Sequence, residues 1–185
     1  LGGAGHGWSV PIRGAGDRFA YNLLHDAPGQ LVTPGGPFMM LDHNEIFNTG
    51  YSEGDGGVVY AGASLTAGYG GQYRENFLHH SLEVPGLHGR GGIYFDDHYQ
   101  AVANASGNVL YKAAGRAFLV NGGGGSNVTR NLLVNGGQGI YNQHYDDMVS
   151  PLPLYDNGTL RRGDKGDYIW KTERALGVAS FDGIF

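Results

Sequence analysis

The side chains of this sequence able to do chemistry are carboxylates in glycine-rich turns and histidines in pairs. No cysteine is present to supply a thiolate metal site or a disulfide. Asp55 stands in a Gly-Asp-Gly triplet, which also makes an ordinary turn. Asp96-Asp97 follows the run Ile93-Tyr94-Phe95, where an acidic pair can cap a turn or hold an ion. His79-His80 and Asp97-His98 invite a metal reading, because imidazole is a common ligand. A surface position explains them as well, since His25 fills the place equivalent to His79 earlier in the chain. A calcium-dependent lyase would need clustered carboxylates and a Lys or Arg base. Among the repeats described below Lys112 is the only lysine, so that role would fall to Arg116 or Arg90. No cofactor is expected, calcium being the one ion weighed.

Composition says what kind of scaffold positions these groups. The chain has 185 residues, enough for one domain with a continuous core. Hydrophobic residues make up 41% and charged ones 16%, which excludes disorder by charge and disfavours helices with Glu-, Lys- and Arg-rich faces. Glycine, at 35 residues without a strict third-position repeat, supplies tight turns and hence many short strands. The net charge of −5 argues against a nucleic-acid or anionic-membrane partner. No apolar run is long enough to span a bilayer. Sequons at Asn104, Asn127 and Asn157 point to the secretory route, so an extracellular location is expected. The opening residues Leu1 to Gly5 lack the series that marks a signal peptide, and the chain reads as a mature piece or a fragment.

An Asn followed two positions later by an aliphatic residue recurs at Asn22/Leu24, Asn44/Ile46, Asn76/Leu78, Asn108/Leu110 and Asn131/Leu133. The spacings are 22, 32, 32 and 23 residues, so two short periods bracket two that carry insertions. A second series runs in step: Leu31-Val32-Thr33, Val58-Val59-Tyr60, Ile93-Tyr94-Phe95, Ala117-Phe118-Leu119 and Ile140-Tyr141-Asn142. Period-2 alternation puts Leu31, Val58, Ile93, Ala117 and Ile140 on one face, assigned inward with Tyr60, Phe95 and Leu119. Val32, Val59, Tyr94, Phe118 and Tyr141 then face outward.

None of these strands could bury its apolar face alone, but stacking equivalent strands about 4.8 Å apart buries all but the end coils. The expected fold is therefore all-β, a right-handed parallel β-helix of about five coils over residues 1–145. The recurring Asn is expected at a bend, tolerating left-handed backbone and hydrogen-bonding from coil to coil. Leucine-rich repeats are disfavoured, because Gly and β-branched residues replace dense Leu. Residues 146–185, with Pro151, Pro153 and Asp156-Asn157-Gly158, read as an irregular strap leading toward further coils or a cap. Neither end shows the amphipathic pattern of a cap, so the expectation is a longer native solenoid, or edges covered by self-association or neighbouring chains.

Three segments carry a family resemblance: Glu53-Gly54-Asp55-Gly56-Gly57-Val58-Val59-Tyr60, Gly92-Ile93-Tyr94-Phe95-Asp96-Asp97 and Gly115-Arg116-Ala117-Phe118. Over roughly residues 15–145 the chain resembles the β-helix glycoside hydrolases of the pectate-lyase-like superfamily, in the branch with α-L-fucosidases and xylanases. The resemblance implies a two-carboxylate mechanism, with Asp55 and Asp96 as the catalytic pair, separated by roughly 5–9.5 Å according to stereochemistry. Straight strands would hold these two roughly 20 Å apart, so bent turns must close the gap. A groove lined by Glu53, Tyr94, Asp97, Arg116, Phe118, Tyr141 and His144 is the expected site for a polysaccharide or glycan, with Tyr94, Phe118 and Tyr141 stacked as an aromatic column. The alternative is a non-catalytic structural or adhesive glycoprotein module in which these residues only cover the sheet and form turns.

Overall fold

The structure is a computed structural model. It describes residues 9–50, 56–61, 69–81, 90–96, 103–113, 115–121, 126–143, 155–156 and 159–160. The chain divides into two units, Leu1–Gln143 and His144–Phe185.

The first unit winds through three short strands per coil. Coil one comprises β1 (Val10–Ile12), β2 (Arg18–Ala20) and β3 (Leu23–Ala27), and coil two β4 (Val32–Pro34), β5 (Met40–Asp42) and β6 (Glu45–Thr49). Coil three has β7 (Gly56–Ala61), β8 (Gln72–Arg74) and β9 (Phe77–Ser81), and coil four β10 (Arg90–Phe95), β11 (Asn104–Ser106) and β12 (Val109–Ala113). Coil five has β13 (Arg116–Asn121), β14 (Asn127–Thr129) and β15 (Leu132–Val134), and β16 (Gln138–Gln143) opens a sixth turn. Every third strand pairs in parallel, giving a first sheet β1-β4-β7-β10-β13-β16, a second sheet β2-β5-β8-β11-β14 and a third sheet β3-β6-β9-β12-β15. This is an all-β parallel solenoid, with no helix among the described residues. The second unit shows one antiparallel pair, β17 (Tyr155–Asp156) with β18 (Thr159–Leu160).

Rows of equivalent residues fill the core. In the third sheet Leu24, Ile46, Leu78, Leu110 and Leu133 are direct register partners from coil to coil, as the repeat predicted. The second sheet contributes Phe19, Leu41, Tyr73, Ala105 and Val128. Large and small residues interlock: the fully buried Tyr73 ring meets Phe95 of the first sheet at a centroid distance of 5.1 Å.

The asparagines form a continuous ladder at the corner between the second and third sheets. Asn22, Asn44, Asn76 and Asn108 each donate from Nδ2 to Oδ1 of the next Asn, at 3.0, 3.0, 2.9 and 2.9 Å, ending on Asn131. Each of the four also donates its backbone N–H to that same oxygen. The second Nδ2 hydrogen of Asn44, Asn76, Asn108 and Asn131 goes to a carbonyl of the preceding coil: Phe19, Leu41, Tyr73 and Ala105 in turn. Buried amides are thus satisfied by repetition alone. The bend differs in one respect from expectation. The left-handed backbone lies at the residue before each Asn: Tyr21, His43, Glu75, Gly107 and Arg130, with φ between 54° and 70°. The Asn itself is left free to bridge coils.

In the first sheet Leu31, Val58, Ile93 and Ala117 lie in the core cluster as expected, but the register from coil to coil differs from expectation by one residue. Val32 pairs with Val59, Val59 with Ile93, Ile93 with Phe118 and Phe118 with Ile140. The neighbouring row is Tyr60, Tyr94, Leu119 and Tyr141. Phe118 is therefore 0% exposed inside the core cluster beside Ile93 and Val59, and is not an outward platform. Tyr60 and Leu119 lie in the outward row with Tyr94, while Phe95 faces the core as expected. Glycine explains the slip. Gly92 falls level with Val58 and Ala117, where an added Cβ would sit 2.7 Å from the Ala117 carbonyl oxygen and 2.7 Å from Leu110 Cδ2. Aligning strands on their glycines hides that Gly92 occupies a place where its neighbours carry side chains.

Candidate functional site

The outer side of the first sheet carries Tyr94 and Asp96, two of the residues singled out by the sequence. Asp96 follows the last residue of β10 and is tied to coil three twice. Its backbone N–H donates to the Ala61 carbonyl at 2.9 Å, and its Oδ2 accepts the Tyr60 hydroxyl at 2.6 Å. Asp96 is 5% exposed, as is Tyr94, whose ring meets the Tyr60 ring edge-on at 5.2 Å. Alternation explains the grouping: Tyr94 and Asp96 project from one face of β10 and Phe95 from the other. Tyr60 reaches them because it is the register partner of Tyr94. A buried carboxyl group, one phenol donor and a second phenol ring alongside make a compact cluster whose groups have the chemistry to hydrogen-bond a hydroxyl and to move a proton.

Other expected residues stand elsewhere. Arg116 opens β13 level with Gly91, at the opposite end of the strands from Asp96, about 16 Å away at roughly 3.3 Å per residue. Its Nε donates to Gln138 Oε1 at 3.3 Å. Tyr141 does share the Tyr94 row, but Leu119, not Phe118, stands between them, so there is no continuous aromatic column. The level of Asp96 is occupied in the next two coils by Asn121, the residue after Val120, and by its partner Gln143. Glu53, Asp55, Asp97, His144 and Asn157 lie outside the described residues. Gly56, the neighbour of Asp55, is at the far end of β7 from Ala61, a span of about 16 Å. Asn104 and Asn127 are register partners on the second sheet, away from Tyr60 and Asp96.

One cluster was not anticipated, and a second joins positions that the sequence had already paired. On the second sheet Arg18 grips Asp42 with two parallel hydrogen bonds, Nε to Oδ1 at 2.9 Å and a terminal nitrogen to Oδ2 at 2.6 Å. His43 joins through Nδ1 at 2.9 Å from Asp42 Oδ2, and its Nε2 lies 2.7 Å from Glu75. Tyr21 stacks on His43 at 4.8 Å. The Arg18 hydrogen bonds hold the Asp42 carboxyl down to about 2, against the opposing pull of burial, and the same contact pushes Arg18 upward. This signal was present in the repeat: Tyr21, His43 and Glu75 are the residues preceding successive ladder asparagines, so they must stand in one column.

On the third sheet His25, Phe47 and His79 are register partners whose rings stack at 4.9 and 4.7 Å, nearly parallel. This confirms that His25 and His79 are equivalent positions. Because the rings cover one another's faces, they present edges outward and make a poor sugar platform. Among the described residues no group of three or more His, Asp or Glu could hold a metal ion.

The chain is thus an all-β parallel solenoid with a hydrogen-bonded Tyr60–Asp96 pair on its longest sheet. Comparisons with protein-family models, curated proteins and solved structures give no match.

Proposed function

We propose that the chain is part of an extracellular carbohydrate-active protein of the β-helix glycoside-hydrolase kind, in which Asp96 exchanges a proton with the glycosidic oxygen or an attacking water. The single observation that carries this is the Asp96 carboxyl group itself, buried and held by Tyr60 at 2.6 Å on the outer face of the longest sheet. General acid–base groups need this kind of confinement, with a fixed orientation and restricted contact with bulk water. Asn121 and Gln143 occupy the same level in later coils. The resemblance to pectate-lyase-like hydrolases supports the same reading. Asp55 adjoins the far end of β7 and Asp97 follows Asp96 directly, so Asp97 joins Asp55 as a candidate for the second carboxylate. The test is Asp96→Asn in the full-length protein against a polysaccharide panel. A loss of about 10²–10⁴ in rate is expected, and unchanged hydrolysis overturns the proposal.

A second reading, a rod or adhesive module, is favoured by the ladder. Asparagine hydrogen bonds run unbroken through five coils, a device for stiffness that needs no ligand. It is preferred if the wild-type full-length protein turns over no glycan while assembling on surfaces or with copies of itself.

A further inference from the structure

Strand β9 carries at His80 the left-handed bend that recurs in the third sheet at Asp26, Asn48 and Lys112 and just past it at Asn135. Successive residues of a strand normally face opposite sides, yet His80 takes left-handed backbone at φ 51° and turns its ring to the same side as His79. The two imidazoles meet edge to face, centroids 5.1 Å apart, with Nδ1 of one 2.8 Å from Nδ1 of the other. The opposite nitrogen of His79, Nε2, lies 3.1 Å from Glu45 Oε1. A carboxylate only accepts, so that nitrogen carries the proton and His79 Nδ1 presents a lone pair toward His80. A carboxylate fixing the far nitrogen of a ligating imidazole is a recurrent feature of protein metal sites.

We propose that His79 and His80 form a chelating corner for a divalent transition-metal ion, with Glu45 as a positioning residue. At metal–nitrogen distances of about 2.0–2.1 Å, donors 2.8 Å apart subtend roughly 85–90° once each ring turns its lone pair about 45° away from the line between the nitrogens. That angle fits the square-planar or octahedral preference of Cu(II) and Ni(II) and is tighter than a tetrahedral zinc site requires. Binding requires His80 to present its Nδ1 lone pair, with a ring proton carried on Nε2 instead. His80 is exposed, with the Tyr111 ring against it edge to face at 5.1 Å. The site is independent of Asp96, which lies on a different sheet.

Coil two supplies the control. Its equivalent residues are Phe47 and Asn48, which keep the ring stack and the left-handed bend at φ 51° but offer no imidazole. The full chain is titrated with Cu(II) by calorimetry and examined by electron paramagnetic resonance. The expected result is one ion bound with two-nitrogen hyperfine structure. His79→Phe with His80→Asn should abolish this while leaving the denaturation midpoint unchanged. Glu45→Gln should weaken binding by about tenfold. Absence of stoichiometric binding overturns the proposal. So does a spectrum that survives the double substitution, including one that disappears only with His25→Ala. Should the double variant lose its fold, His80→Asn alone must remove one nitrogen from the spectrum, and an unchanged spectrum overturns the proposal.

Discussion

Asn76 lies directly above Asn108: its backbone N–H and its Nδ2 both donate to the single Oδ1 of Asn108, at 3.0 and 2.9 Å. The same two-pronged contact reaches Asn76 from Asn44, so each interior Asn is donor to one neighbour and acceptor from the other. The ladder has a direction, and cutting it in the middle strands partners on both sides.

Asn76→Ala is therefore expected to be among the most destabilising single substitutions. It removes the acceptor of the Asn44 N–H and the Nδ2 donor to the Leu41 carbonyl, and a loss of about 2–4 kcal/mol follows from these lost buried hydrogen bonds. Asn22→Ala, at the partly exposed end, should lose about 1 kcal/mol. Urea denaturation of the two variants checks the contrast.

Acid should weaken the fold through Asp42. Its folded-state value of about 2 lies below its ordinary 3.8, so the stabilisation is fully present above about pH 4 and disappears as pH falls toward 2. About 1–2 kcal/mol is at stake, allowing for the half-exposed Arg18. Asp42→Asn should flatten the pH dependence of the denaturation midpoint in that window. An unaltered slope would refute the assignment.

Gly92→Ala should destabilise by about 1–3 kcal/mol through overpacking, since the clash is with a fixed carbonyl as well as a movable Leu110 methyl. Pairing it with Leu110→Val relieves only the side-chain half. Thermal melts of the single and double variants would show partial recovery.

On a secretory route, Asn127 is the expected glycan carrier among the described sequons. Asn127 is exposed, whereas the Asn104 side chain is partly buried and donates Nδ2 to Gln72 Oε1 at 3.2 Å. Peptide mass spectrometry of secreted material should find Asn127 modified and Asn104 bare.

The sequence revealed the third-sheet core row and the ladder because both ride on one residue type at an uninterrupted spacing. Asn22 to Asn131 needed no knowledge of the loops. The first sheet was legible only to within one residue, because glycine has no side chain to mark which face it belongs to. Gly91 and Gly92 are indistinguishable in sequence, and only the room left beside Leu110 separates them. That one-step slip moved Phe118 from surface to core. The Arg18–Asp42–His43–Glu75 cluster escaped notice because its members are 24, 1 and 32 positions apart, a pattern visible only after the ladder has set which residues are stacked. Asp96 was named as a candidate by resemblance, but its Tyr60 partner depends on cross-strand register that the slip had concealed.

Between the second and third sheets the chain spends two residues in every coil: Tyr21-Asn22, His43-Asn44, Glu75-Asn76, Gly107-Asn108 and Arg130-Asn131. All variation in coil length falls at the other two corners, which flank the first sheet on both sides. The asparagine corner acts as a spine whose spacing does not change, while the margins around Tyr60 and Asp96 can be lengthened or exchanged without altering the pitch. A scaffold so divided can acquire new surface specificity by loop substitution alone, and grafts at those two corners should leave the stack intact.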